Sequence, residues 1–494
     1  MTERVPMLIG GRFVESGSEE VEPVPDPATG ETIALLPLST PEEIDRAVAA
    51  ARAAFPAWAD MPVPDRAQAM FRFKALLDEH FEELSLLVVR ENGKTLAEAR
   101  GEVRRGIEVV ELACGAPTLL MGTSLDQIAS GIDEELIRFP IGVVAGITPF
   151  NFPCMVPLWM FPLALVAGNT FVLKPSQRTP LTSVRLAELL QESGLPDGVF
   201  QVVHGAKDAV DALLAHPDVA AVSFVGSAGV ARYIYAGAAA NGKRVQALGG
   251  AKNHLVVMDD TDLDAAVPAV LSSAFGNAGQ RCLAGSVVVG VGGVGDPLVR
   301  ALAVSGGELR VGAGTEPETD MGPVIREERR KELLDWIDRG REGGATLVAD
   351  GRGMGPAQGF FMGPTVFDHV TPDMEMWRAE LFGPVLSVVR ATDLDDALGV
   401  VNASPYGNAA SIFTSSGRNA REFRRRAEAG MVGINVGIPA PMAFFPFVGW
   451  KGSFFGDLHA TGADAIRFYT RPKVVTTRWS VPSGRDSQPE GRGH

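Results

Sequence analysis

Cys282 stands in the segment Gly279-Gln-Arg-Cys-Leu-Ala284, with the cation Arg281 directly before it. A cysteine attacks as its thiolate, and an adjacent positive charge favours that form. Cys114 and Cys154, the other two cysteines, have no such setting: one ends a helical run, the other lies in an uncharged stretch. Asn151, in Pro149-Phe-Asn-Phe-Pro153, offers an amide donor, although in isolation it reads as a turn residue beside proline. Lys174 and Ser176 follow a short apolar run, at the kind of strand end where doubly wound sheets bind nucleotides. Glu380, taken alone, reads as a solvated charge. No CxxC or HExxH spacing links the three cysteines and seven histidines, so neither a disulfide framework nor a structural metal is expected.

One motif misleads. Gly290-Val-Gly-Gly-Val-Gly295 matches the dinucleotide fingerprint GxGxxG after an apolar run. That fingerprint needs a βαβ setting and an acidic residue about twenty positions on. Glu316 and Glu318 fall instead among Gly, Thr and Pro in a loop, and the match is rejected.

The elements that must position these groups alternate. Leu8–Val14, with Gly10-Gly11, suits a short hairpin, and Ser39-Thr40 opens a helix over Pro41–Phe55. Arg66–Glu91 and Glu98–Cys114 read as amphipathic helices, and Glu135–Phe139 as a half-exposed strand. From Gly142 onward short apolar runs (Gly142–Ile147, Thr170–Leu173, Phe200–Val203, Val219–Val225, His254–Val257) are separated by helical stretches, which predicts a parallel sheet with helices on both faces. A second alternating region runs from Ser286 to about Asn435. Ala465–Tyr469 and Val474–Thr477 read as strands, and the Ser/Pro/Gly-rich tail as disordered.

Composition narrows the function. The net charge of −15 argues against nucleic acid or an anionic membrane as partner. Phe139–Leu173 contains no charge within it, a length that could cross a bilayer. Five prolines, from Pro140 to Pro162, break it, so it reads as strand, loop, helix and strand in a buried core. The opening Met-Thr-Glu-Arg-Val-Pro lacks the layout of a signal peptide. A soluble cytoplasmic protein is expected.

Five segments taken together, Pro149–Pro153, Lys174-Pro-Ser, Phe224-Val-Gly-Ser227, Gly276–Cys282 and Glu380-Leu-Phe-Gly-Pro384, resemble the aldehyde dehydrogenase superfamily in order and spacing over about residues 8–478. Arg104–Glu111, Pro157–Pro162, Ala251-Lys-Asn-His254, Gln280-Arg-Cys282 and Ser453–Asp457 resemble its CoA-acylating methylmalonate-semialdehyde dehydrogenase branch. The resemblance implies an α/β fold with a Rossmann-type NAD-binding domain (1–119 and 140–249), an α/β catalytic domain (250–462) and oligomerisation strands (120–139 and 463–480), followed by a tail at 481–494. It also implies a homodimer or homotetramer. Cys282 would form a thioester while Asn151 and the Cys282 N–H hold the oxyanion. Thr148, Phe150, Lys174, Ser176, Gln177, Arg178, Gly226, Ser227, Gly249 and Glu380 would meet NAD. Gly226-Ser227 would lie beside its pyrophosphate, and Glu380 would accept from the nicotinamide ribose. Arg105 and Arg281 would grip the carboxylate of a semialdehyde substrate.

Two departures matter. Hydrolytic members carry Glu in Glu-Leu-Gly-Gly-Lys to activate water. Four residues before Lys252 this chain has Leu248, which cannot act as a base, so coenzyme A is the expected acyl acceptor. Gln177 stands where the branch usually has Glu, which should weaken discrimination against NADP. The competing readings are a hydrolytic dehydrogenase releasing a free acid and, more remotely, a non-catalytic nucleotide-binding protein.

Overall fold

A computed structural model describes residues 3–479; the tail expected at 481–494 lies outside the described residues. Two sheets carry the structure. In the first, Phe200–Val202, Thr170–Lys174, Val143–Ile147, Val219–Val225 and Arg244–Leu248 lie side by side in parallel. The hairpin Met7–Ile9/Arg12–Val14 closes one edge, and Phe454–Gly456 adds an antiparallel strand at the other. The second sheet runs Thr346–Ala349, Thr365–Asp368, Val385–Ala391, Gly285–Val291, Asn253–Val257, Ala409–Phe413, Met431–Ile434, parallel except for the first pair.

These strands form where short, mainly apolar runs recur along the chain. Val143-Val-Ala-Gly-Ile147 is buried throughout, as a parallel strand covered on both faces must be. The uncharged stretch resolves as expected into that strand, a loop, the wholly buried helix Met155–Val166 and the strand Thr170–Lys174. Among the described residues no helix is long and apolar enough to cross a membrane. A third sheet joins Thr123–Ala129, Ile132–Pro140 and Thr470–Arg478, its outer strand exposed along its whole length.

Two expectations are corrected. Arg66–Glu91 is not one helix but two, Val63–Glu79 and Phe81–Asn92. They meet at His80, whose ψ of 19° leaves the helical range. Ala465–Tyr469 is not a strand: Gly462–Phe468 is a short helix that buries Ala465, Ile466 and Phe468 and turns Asp464 and Arg467 outward. Five residues are too few to separate a period of 2 from one of 3.6. The Gly290–Gly295 run ends a strand of the second sheet and opens the helix Gly295–Gly307, with no part in the cavity described next.

Candidate active site

The carboxyl ends of the first sheet's strands open onto a cavity of about 800 Å³. Ile147–Asn151 continues one strand into it, Lys174, Ser176 and Gln177 a second, Phe224–Ser227 a third and Gly249 a fourth. The helix Ala228–Ala240 begins at the same wall, so its N-terminal N–H groups face the space. From the other side come Cys282, Glu380, Phe382, Arg326 and Arg329. Of the residues singled out from sequence, Thr148, Phe150, Asn151, Lys174, Ser176, Gln177, Gly226, Ser227, Gly249, Cys282 and Glu380 all line this one cavity.

Three do not. Arg178 is half-buried, with its guanidinium held below its usual pKa by burial and by the charge of Arg326. Arg105 donates to the carbonyl of Pro441 and contacts Met442 Sδ, and its Nη1 lies 3.4 Å from Glu108. Arg281 is engaged by Glu98, 2.7 Å from Nη2 to Oε1.

Cys282 follows a tight turn in which Asn277, Ala278 and Gly279 all take left-handed φ of +51°, +50° and +70°. A Cβ on Gly279 would lie 2.2 Å from the carbonyl oxygen of Gly383, so only glycine fits there. The Cys282 carbonyl accepts from both Asn253 Nδ2 and Asn408 Nδ2 at 2.9 Å. Burial, and then the nearby Glu380 carboxylate, push the thiol up to about 12. The backbone N–H of Cys282, Arg281 and the N–H of Leu283 pull the other way and lose. The neighbouring cation is therefore not enough to hold a thiolate, because Glu98 neutralises it and desolvation outweighs it.

The Asn151 amide donates 3.0 Å to the carbonyl of Gln280, two residues before Cys282. Lys174 is buried and donates to the Gly205 carbonyl at 2.7 Å; burial lowers its ammonium to about 8. Glu380 is no solvated charge. Its Oε1 accepts from the Ala251 N–H at 2.9 Å, and burial raises its carboxyl to about 7 against the pull of that bond and of Lys252. A Cβ at Gly250 would lie 2.4 Å from Glu380 Oε2, so the glycine makes room for the carboxylate.

Several residues of the site carry little sequence signal. Asn253, opening a strand, and Asn408, just before another, clamp the cysteine carbonyl from positions remote in the chain, and Arg326 and Arg329 add positive charge to the cavity. Asn253 lies within the Ala251–His254 segment, the one hint available. Among the described residues, no group of His, Cys, Asp and Glu is placed to hold a metal ion.

Comparisons place this geometry among known proteins. The model of the aldehyde dehydrogenase family matches residues 13–475. Malonate-semialdehyde dehydrogenase 1 of Geobacillus thermodenitrificans (strain NG80-2) is 57% identical over 473 residues, covering 95% of this chain and 98% of that protein. Malonate-semialdehyde dehydrogenase of Halalkalibacterium halodurans is 55% identical, covering 97% and 99%. The crystal structure of methylmalonate-semialdehyde dehydrogenase from Oceanimonas doudoroffii matches with a TM-score of 0.95 at 50% identity, over 97% of this chain and 99% of that one. A Sinorhizobium meliloti 1021 protein crystallised with NAD matches at a TM-score of 0.96 and 46% identity, over 97% and 99%. With Cys282 and Asn151 lining one strand-end cavity, and with the family model matching residues 13–475, this protein belongs to the aldehyde dehydrogenase family.

Proposed function

We propose that this enzyme oxidises malonate or methylmalonate semialdehyde with NAD and transfers the acyl group to coenzyme A, releasing CO₂ and yielding acetyl-CoA or propionyl-CoA. The observation that carries the choice of acceptor is Leu248. It is 3% exposed in the apolar cluster against which Cys282 packs, at the position where a hydrolytic relative needs a carboxylate. The names of the 53–57% identical relatives support the substrate class.

The residues present fit NAD. The cavity is large enough for a dinucleotide, glycines line two of its strand ends, and a helix N-terminus and Lys174 complement a pyrophosphate. Thr148, Phe150, Ser176, Gln177, Gly226, Ser227 and Gly249 would hold the nucleotide, with Glu380 accepting from a ribose and Arg178 reinforcing the wall. Once deprotonated, Cys282 attacks the aldehyde carbon, and the Asn151 amide and Cys282 N–H stabilise the oxyanion of the thiohemiacetal. Bound NAD supplies the hydride acceptor that converts this adduct to a thioester. With leucine at 248 no side chain there activates water, so the thioester waits for the thiol of coenzyme A. Arg105 and Arg281 steer the substrate carboxylate, Arg281 while tethered to Glu98.

In this reading residues 1–119 and 140–249 form an NAD-binding domain built on the first sheet, to which the catalytic domain (250–462) lends the edge strand Phe454–Gly456, and the second sheet lies within the catalytic domain. The segments 120–139 and 463–480, whose strands Thr123–Ala129, Ile132–Pro140 and Thr470–Arg478 build the third sheet, join copies into a dimer or tetramer, the exposed strand Thr123–Ala129 being open to pairing. Free thiols and net negative charge suit the cytoplasm.

The test is NADH production from methylmalonate semialdehyde with coenzyme A omitted and then restored. Sustained turnover only with coenzyme A is expected, and a free acid formed equally fast without it would return the enzyme to the hydrolytic class.

A further inference from the structure

We propose that Glu98 and Glu102, one turn apart on the helix Leu96–Cys114, are positioning residues that set Asn151 against Cys282. This rests on the reading of the oxyanion pocket above. Four residues apart, the two carboxylates share one helix face, and Arg105 extends the same stripe.

Glu98 reaches the cysteine side. Its Oε2 accepts from Thr95 N–H at 3.0 Å, closing a capping box at the start of its own helix. Its Oε1 accepts from the Asn277 N–H and from Arg281 Nη2, both at 2.7 Å. Asn277 and Ala278 are non-glycine residues in left-handed conformation, a state that persists only where the surroundings enforce it. Glu98 holds the first of them and the residue before Cys282.

Glu102 reaches the asparagine side. Its Oε1 accepts from the N–H groups of Cys154 and Met155, at 2.8 and 3.1 Å, where the helix Met155–Val166 begins. Its Oε2 lies 2.5 Å from Lys94 Nζ, a 1% exposed ammonium that also donates 2.7 Å to the Asn151 carbonyl. Asn277 Nδ2 reaches the same carbonyl at 3.3 Å. Both halves of the oxyanion pocket are thus referenced to one rigid helix. Neither glutamate, nor Lys94 or Asn277, lines the cavity, so they act only through the groups they hold.

The test compares wild type, Glu98→Ala and Glu98→Gln with methylmalonate semialdehyde and with propionaldehyde. Glu98→Ala is expected to lower kcat about 10-fold to 100-fold on both aldehydes, as a small misplacement of reacting groups does, with KM for NAD within about twofold. Glu98→Gln keeps an acceptor for the Asn277 N–H and should recover most of the loss. Wild-type kcat in a folded Glu98→Ala would overturn the inference. So would a KM that improves only for the carboxylated aldehyde, which would make Glu98 a competitor for Arg281. Should Glu98→Ala fail to fold, an unimpaired Glu98→Gln supports the inference and a Glu98→Asp with unchanged kcat overturns it, since the shorter arm must shift the loop. If wild type is inert toward both aldehydes, the functional reading fails, and alkylation of Cys282 by iodoacetamide still decides positioning: a severalfold change in Glu98→Ala supports it, and an unchanged rate overturns it.

Discussion

Leu248 stands opposite Phe454 across the antiparallel pair that closes the first sheet. A carboxylate at 248 would face that ring from within the apolar cluster against which Cys282 packs. Leu248→Glu should therefore create slow, CoA-independent acid release, because a base would then stand near the thioester. Losing the leucine and burying a carboxyl should cost about 3 kcal/mol or more of stability. Product analysis without coenzyme A, alongside thermal unfolding, checks both; an unchanged CoA requirement would remove residue 248 from the thioester's surroundings.

Gln177 lines the cavity without a charge; Arg326 lines the same cavity and lies near enough to Arg178, the next residue, to lower its pKa. Gln177→Glu should lower kcat/KM for NADP far more than for NAD, because a carboxylate accepts from ribose hydroxyls and repels a 2′-phosphate. An unchanged NADP-to-NAD ratio would take Gln177 away from the ribose.

Glu380 should give cofactor binding a pH dependence. With its carboxyl raised to about 7, it is mostly protonated at pH 6 and ionised at pH 8. Only the ionised form accepts from both ribose hydroxyls, so KM for NAD should fall as pH rises through 7, and Glu380→Gln should flatten that slope. A wild-type KM constant from pH 6 to 8 would contradict this.

With the Cys282 thiol pushed up to about 12, iodoacetamide labelling of the free enzyme should accelerate about tenfold per pH unit from 7 to 10. A plateau near pH 8 would mean that the cation, rather than burial, governs the thiol. Cys282→Ala should show no labelling at this site and no NADH production, yet bind NAD nearly as well as wild type.

Neutral replacements of Arg105 or Arg281 should raise KM for carboxylated semialdehydes much more than for propionaldehyde, by about 1.5–3 kcal/mol or one to two decades in kcat/KM. For Arg281 the effect should include a kcat loss on both aldehydes, because its bond to Glu98 breaks as well. Equal losses on the two substrates for Arg105 would assign it a different task.

The parallel strands were legible because Val143–Ile147 is wholly apolar and Val219–Val225 apolar but for Ser223, short runs that give a local signal. Cavity residues were legible through clustered motifs such as Lys174-Pro-Ser and Gly276–Cys282. What stayed hidden is long-range. Nothing near Asn408 announces a bond to a carbonyl 126 positions earlier, and nothing near Glu98 announces Arg281, 183 positions later. The turn at His80 escaped because a ψ change in one residue leaves the apolar spacing on either side nearly intact.

The double clamp on the Cys282 carbonyl also sets an order of events during synthesis. Asn408 lies well downstream of the thiol, the strand Phe454–Gly456 that faces Leu248 further still, and Thr470–Arg478 must return to pair with Ile132–Pro140. Contacts so far apart in sequence form late, after the long loops between them have closed. A chain still emerging from the ribosome therefore carries Cys282 as an ordinary, accessible thiol. Only a finished polypeptide shields it, so resistance to a bulky alkylating reagent should report completion of folding in a newly made chain.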